Sequence, residues 1–214
     1  MKSYVVLAGN IGAGKSTLVK LLSDRLGWEP YYEPVAENPY LDDFYRDMKA
    51  WAFHSQVFFL TYRVRAHTEL MASAGAVVQD RSFYEDAQVF ARSLHRQGIM
   101  SDRDWQSYQG LYRALSGLLT PPNLVVYLRA PVATLQERIA LRGRTFEANI
   151  ADSYLAGLNE LYEEWIAEFA LAPVLVVPAD RMDFVKDAEG LDAIVATVLD
   201  RLRGGQRELF AEER

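Results

Sequence analysis

The chain has 214 residues, half of them apolar, which suits one domain with a substantial core and no need of covalent staples. It contains no cysteine, which excludes disulfides, thiolate zinc sites and a cysteine nucleophile and suits a reducing cytoplasm. A net charge of −6 argues against binding to a nucleic-acid polymer, and no apolar run is long enough to span a bilayer.

Short β-branched runs alternate with amphipathic stretches along the chain. Ser3 to Ala8 reads as a buried strand, too short for a signal peptide and ended by a glycine-rich turn. Gly14 to Leu26 reads as a helix closed by Gly27, and Glu29 to Glu33 as a second short strand. A long helix is expected over Ala50 to Ser73, then a third strand over Ala76 to Asp80. Helices follow over Tyr84 to Gln97 and over Ser101 to Leu118, the latter opened by Ser101 with Asp102 and Asp104 in the first turn. Asn123 to Arg129 is the fourth strand, and Pro131 starts a helix running through Leu141. A helix over Asp152 to Phe169, a fifth strand over Pro173 to Val177 and a last helix over Leu191 to Leu202 complete the pattern. This alternation predicts an α/β fold: a five-stranded parallel sheet with helices on both faces, formed by residues 1–203, and a polar tail over 204–214.

Gly9-Asn10-Ile11-Gly12-Ala13-Gly14-Lys15-Ser16-Thr17 fits the phosphate-loop pattern G-x-x-x-x-G-K-S/T in full, between a strand and a helix. Glycines let the backbone curl so that successive N–H groups converge on phosphate oxygens, and the following helix adds its positive end. Lys15 is the expected ligand of the β- and γ-phosphates and Ser16 a ligand of Mg²⁺, with ATP as the phosphate donor.

Ligands of an open parallel sheet bind beyond the carboxyl ends of its strands. The second strand ends at Glu33, the third at Asp80-Arg81-Ser82 and the fourth at Arg129. Glu33 is a candidate base for an acceptor hydroxyl, Asp80 a holder of Mg²⁺ and Arg81 a bridge between acceptor and transferring phosphoryl group. A structural Glu33–Arg81 ion pair is the bland alternative. Arg138 and Arg142 share a helix face and Arg144 follows a glycine, so the three suit an arginine-rich lid as well as a solvated helix end. No Asn-Lys-x-Asp motif and no Asp-x-x-Gly after the third strand support a GTPase.

These pieces resemble the deoxynucleoside kinases related to deoxycytidine and deoxyguanosine kinase, closest to their bacterial purine-specific branch. The resemblance rests on Gly9 to Thr17, Glu33 to Leu41, Phe44-Tyr45, Trp51 to Gln56, Asp80 to Asp86 and Arg142 to Glu147, in that order. It implies a P-loop kinase that carries the ATP γ-phosphate to the 5′-hydroxyl of a deoxynucleoside, deoxyadenosine before deoxyguanosine, with deoxycytidine as a secondary substrate. It implies Glu33 as base, Tyr45 and Glu147 on the sugar 3′-hydroxyl, and Gln56 on the base edge. Arg63 and Asp86 would be a charged pair beside the base and Phe90 its stacking ring. Arg138, Arg142 and Arg144 match the lid. It also implies a cytoplasmic homodimer. From the residues alone, an amide such as Gln56 matches an adenine edge, and Arg63 with Asp86 is equally a buried structural bridge. A thymidylate-type monophosphate kinase is the nearest rival. Glu33-Pro34-Val35-Ala36-Glu37 is acidic where such an enzyme needs an arginine for its acceptor's phosphate.

Overall fold

The computed structural model of the chain describes residues 3–32, 37–144, 147, 150–182, 184–185 and 187–204. Five strands form one parallel sheet in the order β2-β3-β1-β4-β5: β1 Tyr4–Gly9, β2 Glu29–Tyr31, β3 Val77–Asp80, β4 Leu124–Arg129 and β5 Val174–Pro178. The central strand β1 is buried along its whole length, as expected where helices cover both faces.

Side chains alternate between the two faces of a strand. Val5 and Leu7 of β1 and Leu124, Val126 and Leu128 of β4 join one core cluster. Helices α1 (Lys15–Leu26), α7 (Val132–Arg142) and α9 (Ala188–Leu202) contribute further members. Ala8, Val125 and Tyr127 join a second cluster with residues of α3 (Met48–Ala72), α6 (Asp102–Ser116) and α8 (Asp152–Glu168). Leu18, Val19 and Leu22 of α1 are fully buried, so truncating any of these anchors to alanine carries a cost of about 2–5 kcal/mol.

Local chemistry sets the element ends. Gly27 closes α1 in the left-handed conformation at φ 67°. Ser101 caps α6 by accepting the Asp104 N–H at 3.2 Å, as its sequence suggests. Two features depart from the expected pattern. A six-residue helix, α2 (Leu41–Arg46), precedes α3, which starts at Met48 where Asp47 caps it by accepting the Ala50 N–H at 3.1 Å. The helix expected over Tyr84 to Gln97 is a composite of α4 (Phe83–Glu85), a π-helical turn (Asp86–Ala91) and α5 (Arg92–Arg96). The π turn, a geometry frequent at functional sites, carries both Asp86 and Phe90.

Candidate active site

The loop between β1 and α1 has a geometry that only glycine tolerates. Gly9, Gly12 and Gly14 have φ of 145°, 82° and 99°. A Cβ at Gly9 would lie 2.7 Å from the Leu128 carbonyl oxygen, and one at Gly12 2.7 Å from that of Leu135. Asn10 braces the loop from behind: its amide nitrogen donates to the Leu155 carbonyl at 2.9 Å and to Asn159 Oδ1 at 2.8 Å, while its own Oδ1 accepts the Ile11 N–H at 2.7 Å. Ala13 is fully buried. The Lys15 ammonium donates to the Gly9 and Asn10 carbonyls at 2.8 and 3.0 Å, which holds the cation over the loop.

The carboxyl end of β3 meets the loop across the sheet. Ser16 Oγ donates to Asp80 Oδ2 at 2.5 Å. Asp80 Oδ1 is buried with no hydrogen-bond partner among the described residues. Hard oxygen donors in this arrangement fit a magnesium ion that completes its shell with water and phosphate. Arg81 follows at φ 66°, the one described non-glycine residue with positive φ, a strain of about 1–2 kcal/mol. Its N–H is anchored on the Leu7 carbonyl at 2.9 Å, and its guanidinium carbon lies 4.1 Å from the Phe90 ring centroid. Such strain is characteristic of functional positions.

A cavity of about 710 Å³ opens on this edge, within the usual range for small-molecule sites. Ile11, Gly12, Gly14, Lys15, Ser16 and Thr17 are among its lining residues. Tyr45 from α2, Gln56 from α3, and Asp80, Arg81 and Phe90 line it as well. The Gln56 Oε1 atom is buried and has no hydrogen-bond partner among the described residues. Tyr154, which also lines the cavity, is pushed up to about 12 by burial, against the pull of Arg81, so its hydroxyl keeps its proton at neutral pH.

The lid arginines divide. Arg138 donates to the Ala13 carbonyl at 3.0 Å and to the Ala179 carbonyl at 2.7 Å, tying α7 to the phosphate loop. Arg142 and Arg144 instead both pair with Glu147, at 2.5 and 3.4 Å. Glu147 is only 5 % exposed, so these pairs keep a buried carboxylate neutralised on the cavity wall.

Arg63 and Asp86 sit behind the wall and are not among its lining residues. Arg63 Nε donates to Asp86 Oδ2 at 3.0 Å and its Nη1 to the Asp80 carbonyl at 3.1 Å, with both side chains almost completely buried. The arginine therefore also braces the β3 end that carries Asp80. Glu33 lies outside the described residues. The sequence pattern missed the turn after β5, where Ala179, Asp180, Met182, Phe184 and Val185 line the cavity. Extending the strand-end test to the fifth strand finds this turn.

Comparison with known proteins agrees with this geometry. The deoxynucleoside kinase family model matches residues 5–202. The chain belongs to the deoxynucleoside kinase family. It is 35% identical over 210 residues to the deoxyadenosine/deoxycytidine kinase of Bacillus subtilis (strain 168), covering 96% of each chain. It is 33% identical over 199 residues to the deoxyguanosine kinase of the same strain, covering 91% of this chain and 95% of that one. Among solved structures, the deoxyadenosine kinase from M. mycoides with bound dCTP superposes with a TM-score of 0.79 at 30% identity, covering 94% of this chain and 100% of that one. The five-stranded parallel sheet with helices on both faces is thus a P-loop kinase fold, as the sequence pattern predicts.

Proposed function

We propose that this protein transfers the γ-phosphate of ATP to the 5′-hydroxyl of a purine deoxynucleoside, deoxyadenosine first and deoxyguanosine second. The observation that carries this reading is one cavity lined together by the phosphate loop, by Gln56 and by Asp80 and Arg81. Gln56 has a buried acceptor atom in want of a donor, which the exocyclic amine of adenine supplies. The names of the relatives, which span deoxyadenosine, deoxycytidine and deoxyguanosine kinases, support the acceptor class.

In this reading the loop N–H groups and Lys15 hold the β- and γ-phosphates, and Ser16 with Asp80 holds Mg²⁺. The ion, when bound, offsets charge on the phosphates. Glu33 follows the β2 end in sequence and takes the 5′-hydroxyl proton as the 5′-oxygen bonds to Pγ and the bond from Pγ to ADP breaks. Arg81 bridges the acceptor oxygen and the phosphoryl group. Tyr45 and Glu147 hold the sugar 3′-hydroxyl, and Phe90 stacks on the base. Arg63 and Asp86 support the base subsite from behind. Arg138 fixes the lid helix to the loop, while Arg142 and Arg144 close over the phosphates and exclude water.

A cytoplasmic homodimer is part of the same reading. Support for the dimer is the 25-residue helix α3 with its partly exposed Phe58, packed against α6, which carries the exposed Leu111. Light scattering tests it, a mass near twice 24.3 kDa being expected. The substrate assignment is tested by kcat/KM for deoxyadenosine, deoxyguanosine, deoxycytidine and thymidine with saturating MgATP. The two purines are expected to lead, and a preference for thymidine would overturn the base assignment.

A further inference from the structure

Glu85 has no role in the reaction just described, yet it is fully buried beneath the phosphate loop. Its Oε2 accepts the Ser82 N–H at 2.8 Å and closes the capping box of α4. Its Oε1 lies 3.3 Å from the Gly9 N–H nitrogen and 2.9 Å from the Tyr162 hydroxyl. That hydroxyl is also 2.7 Å from the Gly9 carbonyl oxygen, which accepts from Lys15 as well.

Counting protons decides the state of this cluster. A phenol carries one proton, but the Tyr162 oxygen has two oxygen neighbours, each at the distance of a full O–H···O bond. The Gly9 carbonyl has no proton to give. A neutral Glu85 supplies the second one: its hydroxyl then donates to Tyr162 and Tyr162 donates to Gly9, whereas an ionised Glu85 leaves both contacts to share the one phenolic proton. The two backbone contacts differ as the two oxygens of a neutral acid differ: the Ser82 N–H lies 2.8 Å from Oε2, the carbonyl oxygen, and the Gly9 N–H 3.3 Å from Oε1, the hydroxyl oxygen. Complete burial also pushes the Glu85 carboxyl upward, against the pull of Arg81 and Lys15.

We propose that Glu85 is a neutral carboxylic acid and a positioning residue, which through Tyr162 fixes Gly9 and Lys15 and locks the phosphate loop to the Asp80-Arg81-Ser82 turn. An ionised carboxylate at this place would repel a polyphosphate and compete for Lys15. The neutral acid still accepts from Ser82, donates to Tyr162 and carries no charge.

The kinetic part of this inference rests on the reading of the loop as the ATP site; the protonation part does not. Two measurements separate them. Infrared difference spectra of the parent and Glu85→Gln at neutral pH should show a carboxylic-acid C=O band that shifts in heavy water and is missing from the variant. In kinetics, Glu85→Ala and Tyr162→Phe should each raise KM for ATP roughly five- to tenfold, as expected for a lost buried hydrogen bond, with KM for the deoxynucleoside little moved. Glu85→Gln should recover most of that loss, since its amide donates to Tyr162 and accepts from Ser82 as the neutral acid does, giving up only the long 3.3 Å contact with the Gly9 N–H. Absence of the band, or a Gln variant as impaired for ATP as the Ala variant, would overturn the proposal. A protein without kinase activity would still give the infrared answer.

Discussion

Replacing Gln56 by methionine separates stability from function. The two side chains have similar length and volume, so the exchange leaves the packing of α3 largely intact. It removes a buried acceptor, Oε1, that has no hydrogen-bond partner among the described residues, a situation that costs a folded protein about 1–3 kcal/mol. The free protein should therefore become more stable, by about 2–4 °C in Tm for each kcal/mol recovered. The same exchange removes both hydrogen bonds offered to the adenine edge, about 1–3 kcal/mol in all, so kcat/KM for deoxyadenosine should fall roughly 5- to 150-fold. KM for ATP should stay in place, because in this account Gln56 touches only the base. Thermal melts without ligand and steady-state ADP release cover both halves. An unchanged kcat/KM for deoxyadenosine would refute the base contact, and a matching rise in KM for ATP would put Gln56 on the donor side.

Asp80→Asn should raise the Mg²⁺ needed for half-maximal activity roughly 10- to 100-fold, read from Mg²⁺ titrations at fixed ATP. Arg63→Met removes the guanidinium paired with the buried Asp86 carboxylate and should destabilise the protein by about 3–5 kcal/mol in urea unfolding, while a double replacement with Asp86→Leu should recover most of it. Gly9→Ala puts a Cβ 2.7 Å from the Leu128 carbonyl oxygen at φ 145° and should abolish ATP binding in calorimetry. The pH dependence of Glu85 has a definite sign. Its pKa is raised on folding above the ordinary 4.5, so its contribution to stability is full below that value and is lost as pH rises through the folded value. Lys15, Arg81, Tyr162 and Tyr4 act on the same group, and none of them is altered in Glu85→Gln. The Tm of the Gln variant should therefore gain on that of the parent as pH increases from 4 towards neutrality, on the order of a few degrees.

The strands and the phosphate loop were legible because their signals are local. Continuous apolar runs such as Val5-Val6-Leu7-Ala8 need burial on both faces, and the Gly9 to Thr17 spacing encodes a backbone shape. The spacing of Gln56 and Arg63 put both on one buried stripe of α3, as observed, but spacing carries no information on depth. Gln56 reaches the cavity, while Arg63 stops short of it against Asp86. Helix α2 escaped notice because six residues are too few to display a period. The π turn escaped because one residue inserted into a helical register leaves the apolar pattern nearly intact. The Glu85–Tyr162 contact joins residues 77 positions apart, a pairing that no local pattern reveals.

The most direct test of the account is chromatographic identification of the product. The protein would be incubated with MgATP and each of the four deoxynucleosides or the four deoxynucleoside monophosphates, with Glu33→Gln run in parallel. The account predicts 5′-dAMP and ADP in equal amounts from deoxyadenosine, no turnover of monophosphates and a collapse of the rate in the variant. Diphosphates formed from monophosphates alone, or a variant as active as the parent, would contradict it.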